Sequence, residues 1–161
     1  AADIARAGAE TRGSLVSLLL PRVRDMVSTS SVDERVLTAL VRKQQERFPK
    51  ILEELEAERR KTSHWIWWAC PTELPGDCDP IASYVTMETA GRLLTSEASD
   101  QWRQVLEKLC ELLEESGTAV LPRIDHGRIH YFLKFWDGVP QKPQWMDDVV
   151  RKFHKFDWPQ R

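Results

Sequence analysis

Apolar residues recur at helical spacing along much of this chain. In residues 11–27, and again from residue 32 to about residue 60, they lie three or four positions apart with charged residues between them. The apolar positions are Leu15, Leu18, Leu19, Val23, Met26 and Val27 in the first stretch, and Val32, Val36, Leu37, Leu40, Val41, Phe48, Ile51, Leu52 and Leu55 in the second. The pattern predicts two amphipathic helices. Pro21 is expected to kink or end the first, because proline lacks the N–H that a helix needs.

Polar residues predict where these helices begin and end. Residues 28–31 read Ser-Thr-Ser-Ser, which is typical of a linker, and Ser31 with Glu34 forms a capping-box pattern for the second helix. Pro49 leaves two alternatives, either two helices that meet near Phe48 or one kinked helix. We therefore expect an N-terminal helical extension over residues 1–30 and a helical domain over residues 31–161.

The rest of the chain adds three shorter helices and one aromatic stretch. Thr86 is expected to cap a helix to Leu94, and Ser99 a helix that ends at Gly117. A last helix follows Pro143, and residues 70–80 read as an ordered loop. Residues 128–136 are rich in aromatics and predict a strand, paired with residues 119–124 in a hairpin. The predicted fold is mainly α, a single helical domain with a small β-hairpin or extended aromatic segment.

The least usual stretch is residues 61–71, Lys-Thr-Ser-His-Trp-Ile-Trp-Trp-Ala-Cys-Pro, which we call the Trp segment. It holds three of the seven tryptophans of the chain. An indole ring has a large apolar area and one N–H donor, so such a cluster indicates either a deep core or a surface for a ligand or partner. The basic residues 59–61 lie at its start, and they either lie over indole faces or grip an anion, or simply complement the end of the preceding helix.

The residues around this segment resemble a known family. The matching positions are Arg47-Phe48, Ile51-Leu52-Glu53-Glu54-Leu55, Arg60-Lys61, Ser63-His64-Trp65, Trp67-Trp68 and Pro71, within about residues 44–71. They are similar to the N-terminal motif of a domain-of-unknown-function family of small, mainly helical bacterial proteins with a Ser-His-Trp-x-Trp segment. This chain has Ala-Cys-Pro-Thr where that family usually shows an aromatic, Pro and Gln. The resemblance implies a helical fold and no reaction.

Composition narrows the classes of partner. The 161 residues suit one domain with one core. A formal net charge of −2 argues against nucleic acid as the principal partner. The apolar runs are far shorter than the roughly 20 residues that a membrane-spanning helix needs. Three cysteines indicate a reducing compartment, although Cys70 and Cys78 are close enough to pair. The start at Ala1, without Met, suggests that a presequence is removed, which predicts the cytoplasm or an organelle interior.

Candidate chemistry is sparse. Ser63, His64 and an acidic residue, Asp77 or Asp79, can be written as a triad, but no nucleophile-elbow motif supports it. Metal-ligand residue types occur at Cys70, Cys78, His64, His126 and His130, although their spacing fits no common zinc site and a strand would hold the last two roughly 13 Å apart. Cys70 is a better candidate than Cys110 for a reactive thiolate. We expect no catalytic residue, no metal and no cofactor.

Two hypotheses follow. The first is a non-catalytic accessory or scaffold subunit that docks, through its extension and its Trp-rich surface, onto other protein chains of a larger assembly, for which a respiratory, photosynthetic or ribosomal complex is a natural host. The alternative is a small-ligand-binding protein or enzyme with a pocket centred on His64 and the adjacent tryptophans. The ligand-binding residues of that pocket are Lys61, His64, Trp65, Trp68, Asp125, His126 and Arg128.

Overall fold

A computed structural model describes residues 20–73, 79–80 and 83–160, and for residues 20–30 it describes the backbone alone. The described residues form six α-helices: α1 (Leu20–Glu58), α2 (Ile66–Ala69), α3 (Met87–Leu94), α4 (Ser99–Ser116), α5 (His126–Asp137) and α6 (Gln144–Phe153). Two 3₁₀ turns, Gly117–Val120 and Arg123–Asp125, join α4 to α5. The mainly helical fold is confirmed. The chain divides into two compact units, Ala1–Val32 and Asp33–Arg161.

Helix α1 corrects the prediction of two helices separated by a linker. It runs without a break through residues 28–31 and contains Pro49. Ser and Thr each cost a helix only a few tenths of a kcal/mol relative to Ala, so four of them do not end a helix that is otherwise well formed. Pro21 is the second described residue of α1 and does not end the helix. The helix ends at Glu58, and the next residue, Arg59, takes the left-handed conformation (φ 57°).

The predicted hairpin is wrong. Residues 126–137 form α5, and residues 117–120 and 123–125 form the two 3₁₀ turns. Ile129, Phe132, Leu133 and Trp136 are buried at spacings of three and four, which is the period of a helix and not of a strand. Aromatic residues favour strands only through the packing that a sheet offers, and here the same packing is available to a helix. In the described part of the chain, the only β pairing is an isolated bridge between Thr72 and Tyr84.

Four of the five predicted ends of the shorter helices agree with the structure, including the end of α3 at Leu94 and the start of α6 after Pro143. Thr86 caps α3, because its hydroxyl accepts a hydrogen bond from the Thr89 N–H. Gly117 ends α4 with φ +69°, a conformation that a side chain would strain. Ser99 does not cap α4: its hydroxyl donates to the Leu94 carbonyl at 2.6 Å, and Ala98 precedes the helix.

The core of the Asp33–Arg161 unit forms around the Trp segment. Buried residues of α1, α4, α5 and α6 make one continuous cluster with it. Five of the seven indoles are buried (Trp65, Trp68, Trp102, Trp136 and Trp158), and the other two, Trp67 and Trp145, pack against the same cluster. Most of the aromatic surface is therefore inside the domain. Within the described residues, no helix is long and apolar enough to cross a bilayer.

Candidate functional site

Side chains from three other helices hold the second half of the Trp segment. A helix as short as α2 leaves its last carbonyl groups without partners inside the helix. Four successive carbonyls, of residues 68–71, each accept a hydrogen bond from a distant side chain. The donors, in that order, are Gln44 Nε2 at 2.8 Å, Trp102 Nε1 at 2.8 Å, Arg128 Nε at 2.9 Å and Trp136 Nε1 at 2.9 Å. The segment is thereby fixed to α1, α4 and α5.

Glu54 of α1 holds the first half of the segment. Its carboxylate accepts hydrogen bonds from the Thr62 N–H (2.7 Å), the Ser63 N–H (3.1 Å), the Ser63 hydroxyl and the Trp65 indole N–H (3.0 Å). Partial burial by itself raises the pKa of Glu54, but the hydrogen bonds together outweigh it and lower the pKa from 4.5 to about 2. A catalytic triad would require the Ser63 hydroxyl to donate to His64. The hydroxyl donates to Glu54 instead.

Replacement of Glu54 by Gln is expected to lower the free energy of unfolding at pH 7 by about 1–2 kcal/mol, because three N–H donors and a hydroxyl lose a charged acceptor at a half-buried position. Because the pKa is depressed in the folded chain, the natural carboxylate stabilises the fold above pH 4.5, and this contribution is lost as the pH falls towards about 2. Urea unfolding at pH 7 and pH 3 measures both effects. Glu53→Gln, at an exposed neighbouring position, is the control. An equal loss in the two variants would contradict the prediction.

Lys61 and Asp125 form a buried ion pair. The Lys61 Nζ lies 2.8 Å from Asp125 Oδ2, and the two side chains are only 4% and 10% exposed. The same Nζ lies 5.4 Å from the centre of the Trp65 ring, and the Lys61 N–H donates to the Val120 carbonyl at 2.8 Å. Three of the predicted pocket residues are therefore together. They meet inside the domain and not at an open surface.

His126 follows Asp125 at the start of α5. Its Nε2 lies 3.2 Å from the Thr118 carbonyl oxygen and 3.1 Å from the Leu121 carbonyl oxygen. Carbonyl oxygens only accept hydrogen bonds, so Nε2 carries a hydrogen. The ring is 8% exposed, and it meets the Trp158 ring edge-on at 5.2 Å. The imidazole thus ties the first 3₁₀ turn and the C-terminal segment to α5.

Arg128 of α5 contacts the Trp segment at Cys70. Besides Cys70 O, its guanidinium donates to the Ser83 carbonyl at 2.9 Å and to the Asp79 carboxylate. Its side chain is 9% exposed; burial lowers the pKa of Arg128, and the charge of Asp79 opposes that shift. The Arg128 guanidinium therefore connects α5 to the chain at Cys70, at Asp79 and at Ser83.

The cations that lie over Trp68 come from α1. The Lys43 Nζ is 5.7 Å and the Arg47 Cζ 5.3 Å from the ring centre. Of the basic cluster at residues 59–61, Arg59 pairs with Glu115, while only Lys61 lies over an indole. Trp68 thus meets cations of α1, whereas Lys61 lies over Trp65.

The described residues give little support to the hypotheses of a reactive cysteine and of a metal site. Burial raises the pKa of the Cys70 thiol well above its usual range and that of Cys110 to about 12. No group of three or more metal-ligand side chains occurs there. His126 and His130 lie four apart on α5, not 13 Å apart on a strand, and the His130 ring packs on Tyr131. Cys78 and Asp77 lie outside the described residues.

Two cavities lined by described residues bear on the predicted pocket. One, which we call the η cleft because it adjoins the two 3₁₀ (η) turns, has a volume of about 480 Å³, and the other, on α1, about 260 Å³. The η cleft is lined by Thr118, Ala119, Leu121, Arg123, His126, Asp157 and Pro159. The cavity on α1 is lined by Glu34, Arg35, Thr38, Ala39 and Arg42. Of the predicted pocket residues, only His126 lines either of them.

His64 is exposed, and it lines neither cavity. Replacement of His64 by Ala is therefore expected to change the free energy of unfolding by less than about 0.5 kcal/mol, since exposed positions without partners tolerate substitution. Thermal or urea unfolding of the two proteins measures this. Ser63→Ala, which removes a bond to Glu54, serves as a comparison expected to destabilise more. A larger loss for His64→Ala than for Ser63→Ala would show that the imidazole is a structural group.

Comparison of the chain with protein-family models, with curated proteins and with solved structures gave no match. The resemblance of residues 44–71 to the Ser-His-Trp-x-Trp family stays a prediction. Sequence reasoning missed the donors on Gln44, Trp102 and Trp136 and the acceptor on Glu54. None of these residues belongs to a recognisable local sequence motif, because each forms a hydrogen bond with a group that only the fold brings near.

Proposed function

We propose that this chain is a non-catalytic, protein-binding subunit of a larger assembly, and that it docks onto another protein through its N-terminal helical stretch. The observation that carries the proposal is the helical backbone of α1 from Leu20 onward. A helix places Val23, Met26 and Val27 of the sequence on one face. An apolar helical face of this kind is a common means of docking into a groove of a partner.

The contacts inside the domain favour the same proposal. The polar side chains that a pocket at the Trp segment would use are engaged with protein groups: Lys61 with Asp125, Arg128 with Asp79, and Glu54 with the segment itself. Five of the seven indoles are buried. The proposed docking surface is therefore the N-terminal stretch of α1. The proposed role of the Trp segment is to hold the core of the domain together.

Site-specific photo-crosslinking in the source cells tests the docking proposal. A photoreactive residue at Met26 of the full chain is expected to give a discrete protein adduct. The same residue at Asp25, which a helix places on the opposite face, is expected to give none. Val23→Asp should reduce the Met26 adduct. Identical products from both positions, or a Met26 chain that gives no adduct and behaves as a monodisperse monomer, would overturn the proposal.

Small-ligand binding is a second candidate, favoured by one observation. His126, which belongs to the predicted pocket set and follows the buried Asp125, lines the η cleft of about 480 Å³. That volume falls in the range of about 300–1,000 Å³ that is typical of small-molecule sites. The pocket of this candidate is thus centred on His126 and not on His64.

A further inference from the structure

One buried side chain holds both walls of the η cleft. It forms where residues 118–126 face residues 157 and 159 of the C-terminal segment. The His126 imidazole, 8% exposed, bonds two carbonyls of the first stretch and packs on Trp158 of the second. Both sides of the cleft are therefore tied to the same side chain. A site held in this way loses little conformational freedom when a ligand binds.

Two opposite charges line the cleft without meeting. Arg123 and Asp157 are both exposed, and within the described residues neither has an ion-pair partner. The side chains of Ala119, Leu121 and Pro159 supply apolar surface to the same cleft. A ligand that fills it meets a cation, an anion and an apolar wall together.

We propose that the η cleft binds a small zwitterion, a short peptide or amino acid that carries both a carboxylate and an ammonium group. The Arg123 guanidinium pairs with the carboxylate, for which its planar fork is suited, and Asp157 accepts hydrogen bonds from the ammonium. The apolar wall takes the ligand's side chain. A ligand with only one charge binds more weakly, because it pairs with only one of Arg123 and Asp157.

This inference rests on the second candidate function and is independent of the docking proposal. The dipeptide Ala-Leu is the probe, added to the ¹⁵N-labelled full chain and followed by NMR. We expect saturable shifts of the amides of Ala119, Arg123 and Asp157. Arg123→Gln and Asp157→Asn are each expected to weaken binding about tenfold, through loss of a charge-assisted hydrogen bond. The matched controls Arg60→Gln and Asp100→Asn, at other exposed positions, should leave binding unchanged.

Capped probes separate the ligand class from ligand binding itself. N-acetyl-Ala-Leu lacks the ammonium and Ala-Leu amide lacks the carboxylate, so each is expected to bind about tenfold more weakly than Ala-Leu. If the doubly capped dipeptide shifts the same amides with equal affinity, the zwitterion proposal is overturned while small-ligand binding stands. If no form of the dipeptide shifts these amides, and α-amino acids such as leucine also fail, both are overturned.

Discussion

Replacement of Trp102 by Ala is expected to lower the free energy of unfolding by about 3–5 kcal/mol, which is among the largest losses for a single change in this domain. The indole is fully buried. It meets the rings of Trp136 and Trp145 edge-on at 5.3 and 5.7 Å, and its N–H donates to the Ala69 carbonyl at 2.8 Å. Alanine removes all of these contacts and leaves a cavity at the centre of the core.

A second substitution separates volume from hydrogen bonding. Trp102→Phe keeps an aromatic ring but removes the N–H, so the Ala69 carbonyl is left buried without that donor, at a cost of about 1–3 kcal/mol. Equilibrium unfolding in urea, followed by far-ultraviolet circular dichroism, avoids the change in tryptophan fluorescence. Trp67→Ala, at a half-buried indole of the same segment, is the control and should cost less. If both alanine variants lose the same stability, the structural role given to Trp102 is wrong.

The periodicity of apolar residues predicted most helices because each has one face in the core. In the second predicted stretch, Leu40, Phe48, Ile51 and Leu55 are buried as their spacing requires. The same spacing rule indicates a helix for residues 128–136, whereas their aromatic content favours a strand, and the structure follows the spacing. The continuity of α1 through residues 28–31 was missed because serine and threonine permit a helix as well as a cap.

The candidate site was only partly predictable. Lys61, Trp65 and Asp125 are residue types suited to a pocket, and they do come together. Their burial depends on long-range packing, which local sequence does not encode. His64 lies within the Trp segment, yet α2 begins only at Ile66, and the chain before it leaves His64 at the surface. His64 and Trp65 are neighbours in sequence, but the turn that Glu54 holds leaves the first exposed and the second buried.

Replacement of Lys61 by Met is expected to cost about 3–5 kcal/mol, because it leaves the Asp125 carboxylate buried without its cation. Asp125→Leu alone should cost a similar amount by stranding the ammonium. The double variant is expected to recover most of the loss, since an apolar pair of similar volume removes both desolvation costs. A double-mutant cycle of urea unfolding measures the coupling between the two positions.

The surface pair Arg103–Glu107 is the matched control. Its atoms are 2.9 Å apart, close to the Lys61–Asp125 distance of 2.8 Å, but its side chains are 52% and 48% exposed. Water and salt screen such a pair, so Arg103→Met is expected to cost less than about 0.5 kcal/mol. The two pairs have similar distances but very different burial, so a much larger loss at Lys61 is the result expected of a buried pair. A Lys61→Met variant no less stable than Arg103→Met would mean that solvent reaches Asp125, and the site would then be open as a pocket requires.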